Sequence, residues 1–321
     1  MVHHDENSYL YWVSVSHFVA QVGFVSSVMF GAVLITLNTF VTRRVVGSYK
    51  HLMNIFTSLG MVFATMEVIL YPNIHSYNAG FYYFSVETPF GLSKNAVTVF
   101  LVVYKCFYCA TTALISIQFI YRYWAVFNAT RLKYFRGWYS LIWVGYCLFF
   151  GVQYAYGAYL FLEVDKVAMD YFREEMGIHY NIFIEDASAL AYVAYDPNSY
   201  EVRWWNLMFT ICITGVMSAQ YIIMIYCGWS MHLKMESKIE NFSTALKRLH
   251  KQFFKTLIMQ ITAPSLFLFV PIGFLIYLPL LDLELSIPTG TIICAFSLYP
   301  ALDAIIVLSV VTEYRISAKS K

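Results

Sequence analysis

Three ionisable side chains stand within stretches that are otherwise almost free of charge: Glu67, Lys105 and Asp303. A charge facing hydrocarbon costs about 3 kcal/mol or more, so each of the three is expected to face a protein interior or water and to mark a functional position. Glu67 and Lys105 fall at similar depths in neighbouring stretches, so one reading pairs them as ions, testable by a charge swap. The other lets Lys105 extend its chain to the surface. Asp303 follows Leu298-Tyr299-Pro300-Ala301-Leu302. Pro300 frees a carbonyl that a nearby polar group or a water can bond, which makes a hinge. Pro271 lies mid-way along the preceding stretch, so two consecutive stretches could bend. Arg122 closes the third stretch, in Phe119-Ile120-Tyr121-Arg122-Tyr123-Trp124. An arginine there could switch between the interior and a partner, or serve as an ordinary anchor.

Other chemistry is missing. There is no His-Glu-x-x-His and no phosphate-binding loop. Cys106 and Cys109 have Cys-x-x-Cys spacing, but neither a second pair nor a nearby His completes a zinc site. They read as small apolar side chains on one helix face. Among the long stretches only the first holds a His well inside it, His17, and the last holds no Lys for a retinal Schiff base. No cofactor, no metal and no enzymatic activity are expected.

The elements that must hold these residues are membrane helices. The 321 residues are 60% hydrophobic and only 12% charged, too few charges to cover a soluble domain of this length. A run of about 20 apolar residues crosses a bilayer core. Seven such spans are placed at 12–41, 52–71, 96–121, 138–162, 204–229, 256–279 and 289–311. The first lacks the basic flank of a cleavable leader and begins behind Asp5 and Glu6, so it reads as a retained span.

Charge gives the orientation. The loops 42–51, 122–137 and 230–255 and the tail 312–321 hold 16 Lys and Arg against three acids. The N-terminus and the loops 72–95, 163–203 and 282–288 hold 4 Lys and Arg against 14 acids. Basic loops stay in the cytoplasm, so the N-terminus is expected outside and the C-terminus inside. Trp12, Trp124, Trp138, Trp204, Trp205 and Trp229 sit at span ends, as interfacial rings should. All six Cys lie inside spans, so no extracellular disulfide is expected.

Two loops carry further signals. Loop 163–203 is long and acidic, either a lid or funnel for a ligand or a solvated cover. Loop 230–255 ends in a helical pattern, with Leu246, Leu249 and Phe253 on one face and Lys247, Lys251 and Lys255 on another. The sixth span should extend into the cytoplasm there, either to dock a protein or to rest on anionic head groups. No internal repeat is evident, and a transporter built from repeated halves would need one. A ligand-gated odorant channel with its N-terminus inside conflicts with the charge count.

Taken together, Gly47-Ser-Tyr-Lys-His-Leu-Met53, Tyr121-Arg-Tyr-Trp-Ala125, Lys251-Gln-Phe-Phe-Lys-Thr-Leu257 and Leu298-Tyr-Pro-Ala-Leu-Asp303 resemble a known family. It is the Str class of nematode seven-transmembrane chemoreceptors, which includes odorant receptors. Glu67 stands where that family tends to carry an acid. The resemblance covers nearly the whole chain and implies a G-protein-coupled olfactory receptor in the plasma membrane of a sensory neuron, often in its cilium. Its implied partners are a small-molecule odorant or chemical cue, a heterotrimeric G protein and membrane lipids, with no nucleic acid. Three departures separate the chain from the rhodopsin-like pattern. Tyr121 replaces the acid before Arg122, Tyr299-Pro300 replaces Asn-Pro, and the disulfide to the second outer loop is missing.

The expected fold is therefore an all-α membrane protein, a single seven-transmembrane helix bundle spanning 1–321. Depth alone proposes ligand-lining residues in its outer half: Glu67, Tyr104, Lys105, Tyr108, Trp205, Thr210, Phe267, Phe274 and Thr291. Arg122, Lys247, Lys251 and Lys255 are the expected G-protein contacts. Pro271, Tyr299, Pro300 and Asp303 are the expected switch.

Overall fold

Apolar length dominates the architecture. The computed structural model describes residues 9–41, 48–240 and 242–310, and within these the side chains of Val41, Ser48, Ala245, Leu249, Pro264, Phe267, Leu268, Pro271, Thr291 and Ala295 lie outside the description. The N-terminal Asp5 and Glu6, much of the basic loop 42–51 and the whole of the expected tail 312–321, which contribute to the charge count, also fall outside it.

Six helices are long and apolar enough to cross a membrane, and a seventh apolar helical segment is shorter, over Ile272–Leu281. The first four spans are built on α1 (Leu10–Thr36), α2 (Ser48–Leu70), α3 (Lys94–Phe127) and α4 (Leu141–Phe161). The fifth is α6 (Trp204–Ile239), which runs ten residues beyond the expected end at 229. The sixth is interrupted: α7 (Thr244–Pro264), a π-turn over Ser265–Phe269, then α8 (Val270–Tyr277). Pro271 falls in the first turn of α8, directly after the π-turn. The seventh restarts in the same way, with α9 (Gly290–Cys294), a 3-10 turn, and α10 (Tyr299–Val310) with Pro300 in its first turn. Both prolines therefore stand where a helix is re-nucleated.

The bundle is organised around α3, which packs against α2, α4, α6 and α7. Its N-terminus is set by Ser93, whose hydroxyl accepts from the Ala96 N–H. On α1 the buried positions are nearly all small: Ser16, Ala20, Gly23, Ser27 and Gly31. At Gly23 an added Cβ would sit 2.0 Å from Ser297 Oγ, so only glycine lets α1 approach the seventh span this closely.

The expectation of an all-α fold is corrected at one end of the bundle. There the connections between spans form a four-stranded antiparallel sheet ordered β3-β2-β1-β4, from β1 (Asn73–Tyr77), β2 (Gly80–Ser85), β3 (Ser188–Val193) and β4 (Ser286–Ile287). Side chains alternate faces along a strand. Tyr82, Phe84, Ala189, Ala191 and Val193 pack under an additional helix, α5 (Lys166–Tyr180). Phe81, Tyr83, Leu190 and Tyr192 join the core of the bundle. The sheet is thus a lid buried on both faces. Gly80 is required where β2 meets β3, because a Cβ would lie 2.6 Å from the Tyr192 carbonyl oxygen. The long acidic loop is neither a solvated cover nor an open funnel. It is capped at Asp165, whose carboxylate accepts from the Ala168 N–H, and Ala168, Phe172, Met176 and Tyr180 turn one helix face onto the sheet.

One carboxylate holds the lid together. Glu175 on α5 bonds His75 Nε2 of β1 at 3.1 Å and His179 Nε2 at 3.3 Å, and it accepts a hydrogen bond from the Ser286 hydroxyl of β4. His75 is fully buried and its other ring nitrogen meets the Tyr180 hydroxyl at 3.1 Å. Tyr9, just before α1, stacks on His179 and donates to the Ser286 carbonyl at 3.2 Å. Burial alone would raise the Glu175 pKa, but the His75 and Ser286 hydrogen bonds and the charges of His75 and His179 outweigh it and hold the group below 4.5. A depressed carboxylate pKa contributes stability above its unfolded value, and that stability is lost as pH falls through the folded value. The lid should therefore loosen below about pH 4.5. In Glu175→Gln, hydrogen exchange in the β1–β2 hairpin should rise at neutral pH about tenfold or more, the equivalent of a charged hydrogen bond, and the acid-dependent step should disappear.

Candidate functional site

Beneath the lid the bundle interior carries a cluster of polar aromatics and charges. Glu67 on α2 is fully buried and accepts a hydrogen bond from the Tyr104 hydroxyl of α3. Phe63 stacks on the Tyr104 ring with centroids 4.8 Å apart, which fixes that hydroxyl. The other Glu67 oxygen, Oε1, has no hydrogen-bond partner among the described residues.

Lys105 does not pair with Glu67, which corrects the ion-pair expectation. Its ammonium sits 3.7 Å from the ring centroid of Tyr83, on the face of β2 turned toward the bundle. The reason is angular: on a helix adjacent residues point about 100° apart, so Tyr104 and Lys105 cannot both face α2. The acid meets the phenol and the cation meets the lid.

Of the remaining residues placed by depth, Tyr108 and Thr210 lie inside and Trp205 and Phe274 do not. Tyr108 packs against Phe296 and Phe269, and its buried hydroxyl has no partner among the described residues. It borders a cavity of about 120 Å³ shared with Thr214, Tyr221 and Tyr277. Thr210 donates to the Tyr192 hydroxyl of β3 at 3.2 Å, so it ties α6 to the lid. Trp205 is 62% exposed and Phe274 56%, both on outward faces of their helices. The side chains of Phe267 and Thr291 lie outside the described residues.

Midway through the bundle, Gln220 of α6 accepts from Ser116 of α3 at 2.7 Å and from the Tyr146 hydroxyl of α4 at 2.8 Å. Toward the end away from the lid, Asp303 is buried and accepts from Gln260 Nε2 of α7 at 2.6 Å. The Tyr299 hydroxyl reaches the Gln260 carbonyl at 3.5 Å. The bonds of Gln260 therefore join the two proline-interrupted spans. Gln220 and Gln260 escaped the sequence reading because a neutral amide carries no charge signal. Only their place inside an apolar span could have drawn attention.

At that far end Arg122 is not a surface anchor. It is 6% exposed, its guanidinium carbon lying 3.3 Å from the Tyr49 ring centroid and 3.7 Å from that of Phe253. Its Nε and Nη2 have no hydrogen-bond partner among the described residues. Beside it is a cavity of about 170 Å³ lined by Tyr121, Leu246 and His250 among others. The three lysines differ. Lys251 bonds Glu236 of α6 at 2.6 Å with both side chains exposed, Lys255 is exposed, and Lys247 is half-buried.

Seven apolar helical segments with buried charges inside define a multi-pass membrane protein of the serpentine receptor type. Residues 16–319 match the family model described as serpentine type 7TM GPCR chemoreceptor Str, and the chain belongs to that family. It is 36% identical over 307 residues to "G-protein coupled receptor str-33" of Caenorhabditis elegans, covering 94% of this chain and 89% of that protein. It is also 29% identical over 282 residues to "Serpentine receptor class r-10" of Caenorhabditis briggsae, covering 84% and 79%. The Caenorhabditis elegans protein of the same name is 28% identical over 295 residues, covering 88% and 84%.

Because Tyr104 is the one hydrogen-bond partner of the Glu67 carboxylate among the described residues, Tyr104→Phe should lower the stability of the purified receptor by about 1.5–3 kcal/mol, the scale of a charged hydrogen bond, read as a drop in thermal midpoint. Because Glu67 and Lys105 do not meet, the double swap Glu67→Lys with Lys105→Glu should melt no higher than the worse single variant.

Proposed function

We propose that this chain is a G-protein-coupled chemosensory receptor with the lidded end outside the cell and the Arg122 end in the cytoplasm. One observation carries the proposal: α3 bears buried polar atoms with no hydrogen-bond partner among the described residues toward both ends, the Tyr108 hydroxyl in the half nearer the lid and Nε and Nη2 of Arg122 at the other. Near the lid are Tyr104 against Glu67 and Lys105 against Tyr83. At the other end is Arg122, stored between Tyr49 and Phe253 beside a cavity. A helix built in this way can report at one end what is bound near the other. The family membership and the charge count of the loops support the same reading.

A small chemical cue would bind in the outer half of the bundle, next to Tyr108 and the Glu67–Tyr104 pair, where aromatic walls and a few unsatisfied polar atoms suit a small odorant. Binding shifts the bundle only through unequal affinity for two arrangements. The elements free to differ between them are the re-nucleated spans, with Pro271, Tyr299, Pro300 and the Gln260–Asp303 bond. The cytoplasmic response would be release of Arg122 from its aromatic stack toward a heterotrimeric G protein, with Lys247, Lys251 and Lys255 on the rim. The whole chain, 1–321, would act as one receptor domain in the plasma membrane, with the sensory cilium as its proposed site.

The test is a calcium or cyclic-nucleotide response in cells expressing the chain, screened against small volatiles and water-soluble cues with the G-protein pathway open or blocked. A response lost under the block supports the receptor. A ligand-gated current that survives it supports a channel instead. Arg122→Ala at normal surface expression should reduce the response at least tenfold, and an unchanged response would remove Arg122 from the coupling mechanism.

A further inference from the structure

The lid closes the axial route into the bundle: Tyr82, Tyr83, Phe84 and Tyr192 are each 2% exposed or less. A larger space than the one beside Tyr108 lies to one side at that end. A cavity of about 570 Å³ opens between the first turns of α3, the last turn of α4 and the start of α6, and runs up the edge of the sheet to its α5 side, where Met169 and Ala189 line it. Val99, Tyr159 and Trp205 border it and are 49%, 54% and 62% exposed on the outward faces of their helices, so its mouth faces the membrane. Tyr82 lines it from the lid, and its buried hydroxyl has no hydrogen-bond partner among the described residues. The rim carries one charge of each sign, Lys94 and Glu163, and the Lys94 ammonium is already bonded to the carbonyl oxygens of Glu185 at 2.6 Å and Ile184 at 3.4 Å.

From this we infer that the side cavity is a binding site for a neutral amphiphile bearing an oxygen acceptor, a ketone, ester, ether or alcohol on an apolar chain, which enters from the outer leaflet. The size matches small-molecule sites, whose volumes run from about 300 to 1,000 Å³. The balanced rim gives no preference for a net charge. The unsatisfied Tyr82 hydroxyl donates to an acceptor, and leaving it buried without one is unfavourable. The apolar chain lies along Val99 and the Trp205 ring, whose indole N–H is occupied by the Leu160 carbonyl at 3.0 Å and so presents only its apolar surface. Through Tyr82 on β2 the occupant would touch the same strand whose Tyr83 holds Lys105, which couples the side cavity to the lid. The inference rests on the proposed orientation for the word outer. It does not need G-protein coupling to be correct.

The test uses full-length purified receptor in phosphatidylcholine nanodiscs and a medium-chain methyl ketone carrying a diazirine. Cross-linked peptides are mapped by mass spectrometry, with the same chain ending in a carboxylate or a quaternary ammonium as the other arms. The expected result is saturable labelling of 94–99 and 159–164 by the ketone. Val99→Trp, which fills the cavity from a lipid-facing position, should reduce it at least tenfold. Tyr82→Phe should reduce it about fivefold, the loss of one neutral hydrogen bond. Labelling that does not saturate, matches the lipid-facing stretch around Ile222 and Ile225 of α6, and ignores both variants would mean bulk partitioning and overturn the site. Stronger labelling by either charged probe would overturn the neutral class. A loss with Val99→Trp and none with Tyr82→Phe would overturn the acceptor requirement. Labelling is read without signalling, so its failure is distinct from failure of the receptor reading.

Discussion

A charge inside an apolar bundle must find a partner, and in this protein the partners are aromatic rings, phenols and an amide. Tyr104 donates to Glu67, the Tyr83 ring takes the Lys105 ammonium, Tyr49 and Phe253 enclose the Arg122 guanidinium, and Gln260 donates to Asp303. A buried ion pair is costly to break because it strands an unpaired charge. Rings and amides hold charge less tightly and leave some hydrogen-bonding capacity unused among the described residues, as at Glu67 Oε1 and at Nε and Nη2 of Arg122. Each charge is held well enough to be buried, and loosely enough to be offered a second partner.

The lid follows from the same constraint applied to backbone. Chain that is not helical needs its polar groups satisfied wherever it is buried. The connections over the bundle mouth satisfy theirs by pairing with each other into a sheet. Because side chains alternate across the sheet, one row of aromatics seals the bundle and the other seats α5. Glu175 then gathers β1, α5 and β4 at one point, with Tyr9 bonded to the same Ser286, so four parts of the chain far apart in sequence meet there. A closed lid leaves the flank as the open side.

Part-way along the bundle, the interrupted sixth and seventh spans place prolines in first turns rather than in helix interiors. A restarted helix can be re-aimed with little loss of hydrogen bonding, because the break already exists. The Gln260–Asp303 bond joins α7 to α10 on the side of both breaks that is nearer the Arg122 cavity.

The sequence by itself determined the spans, because crossing hydrocarbon is a local property of length and apolarity: the six long helices lie close to the stretches read from composition, although α6 continues past the expected end. It also marked Glu67 and Asp303 as facing the interior or water, since a charge in an apolar run has few other places to go, whereas the burial of Arg122 at a span end was not legible there. The lid was partly written there too. Ala168, Phe172, Met176 and Tyr180 recur at helical spacing, and Gly80–Ser85 and Ser188–Val193 are short apolar runs. In connections between spans they read as loop, because strands declare themselves only when a partner is in register. Who meets whom was left to tertiary structure. Adjacent residues Tyr104 and Lys105 diverge around one helix, Trp205 and Phe274 turn outward, and Lys105 finds a ring from a strand about twenty residues away. Depth is fixed by position along a helix and so is legible in sequence, whereas facing depends on how the helices rotate against their neighbours, which only packing decides.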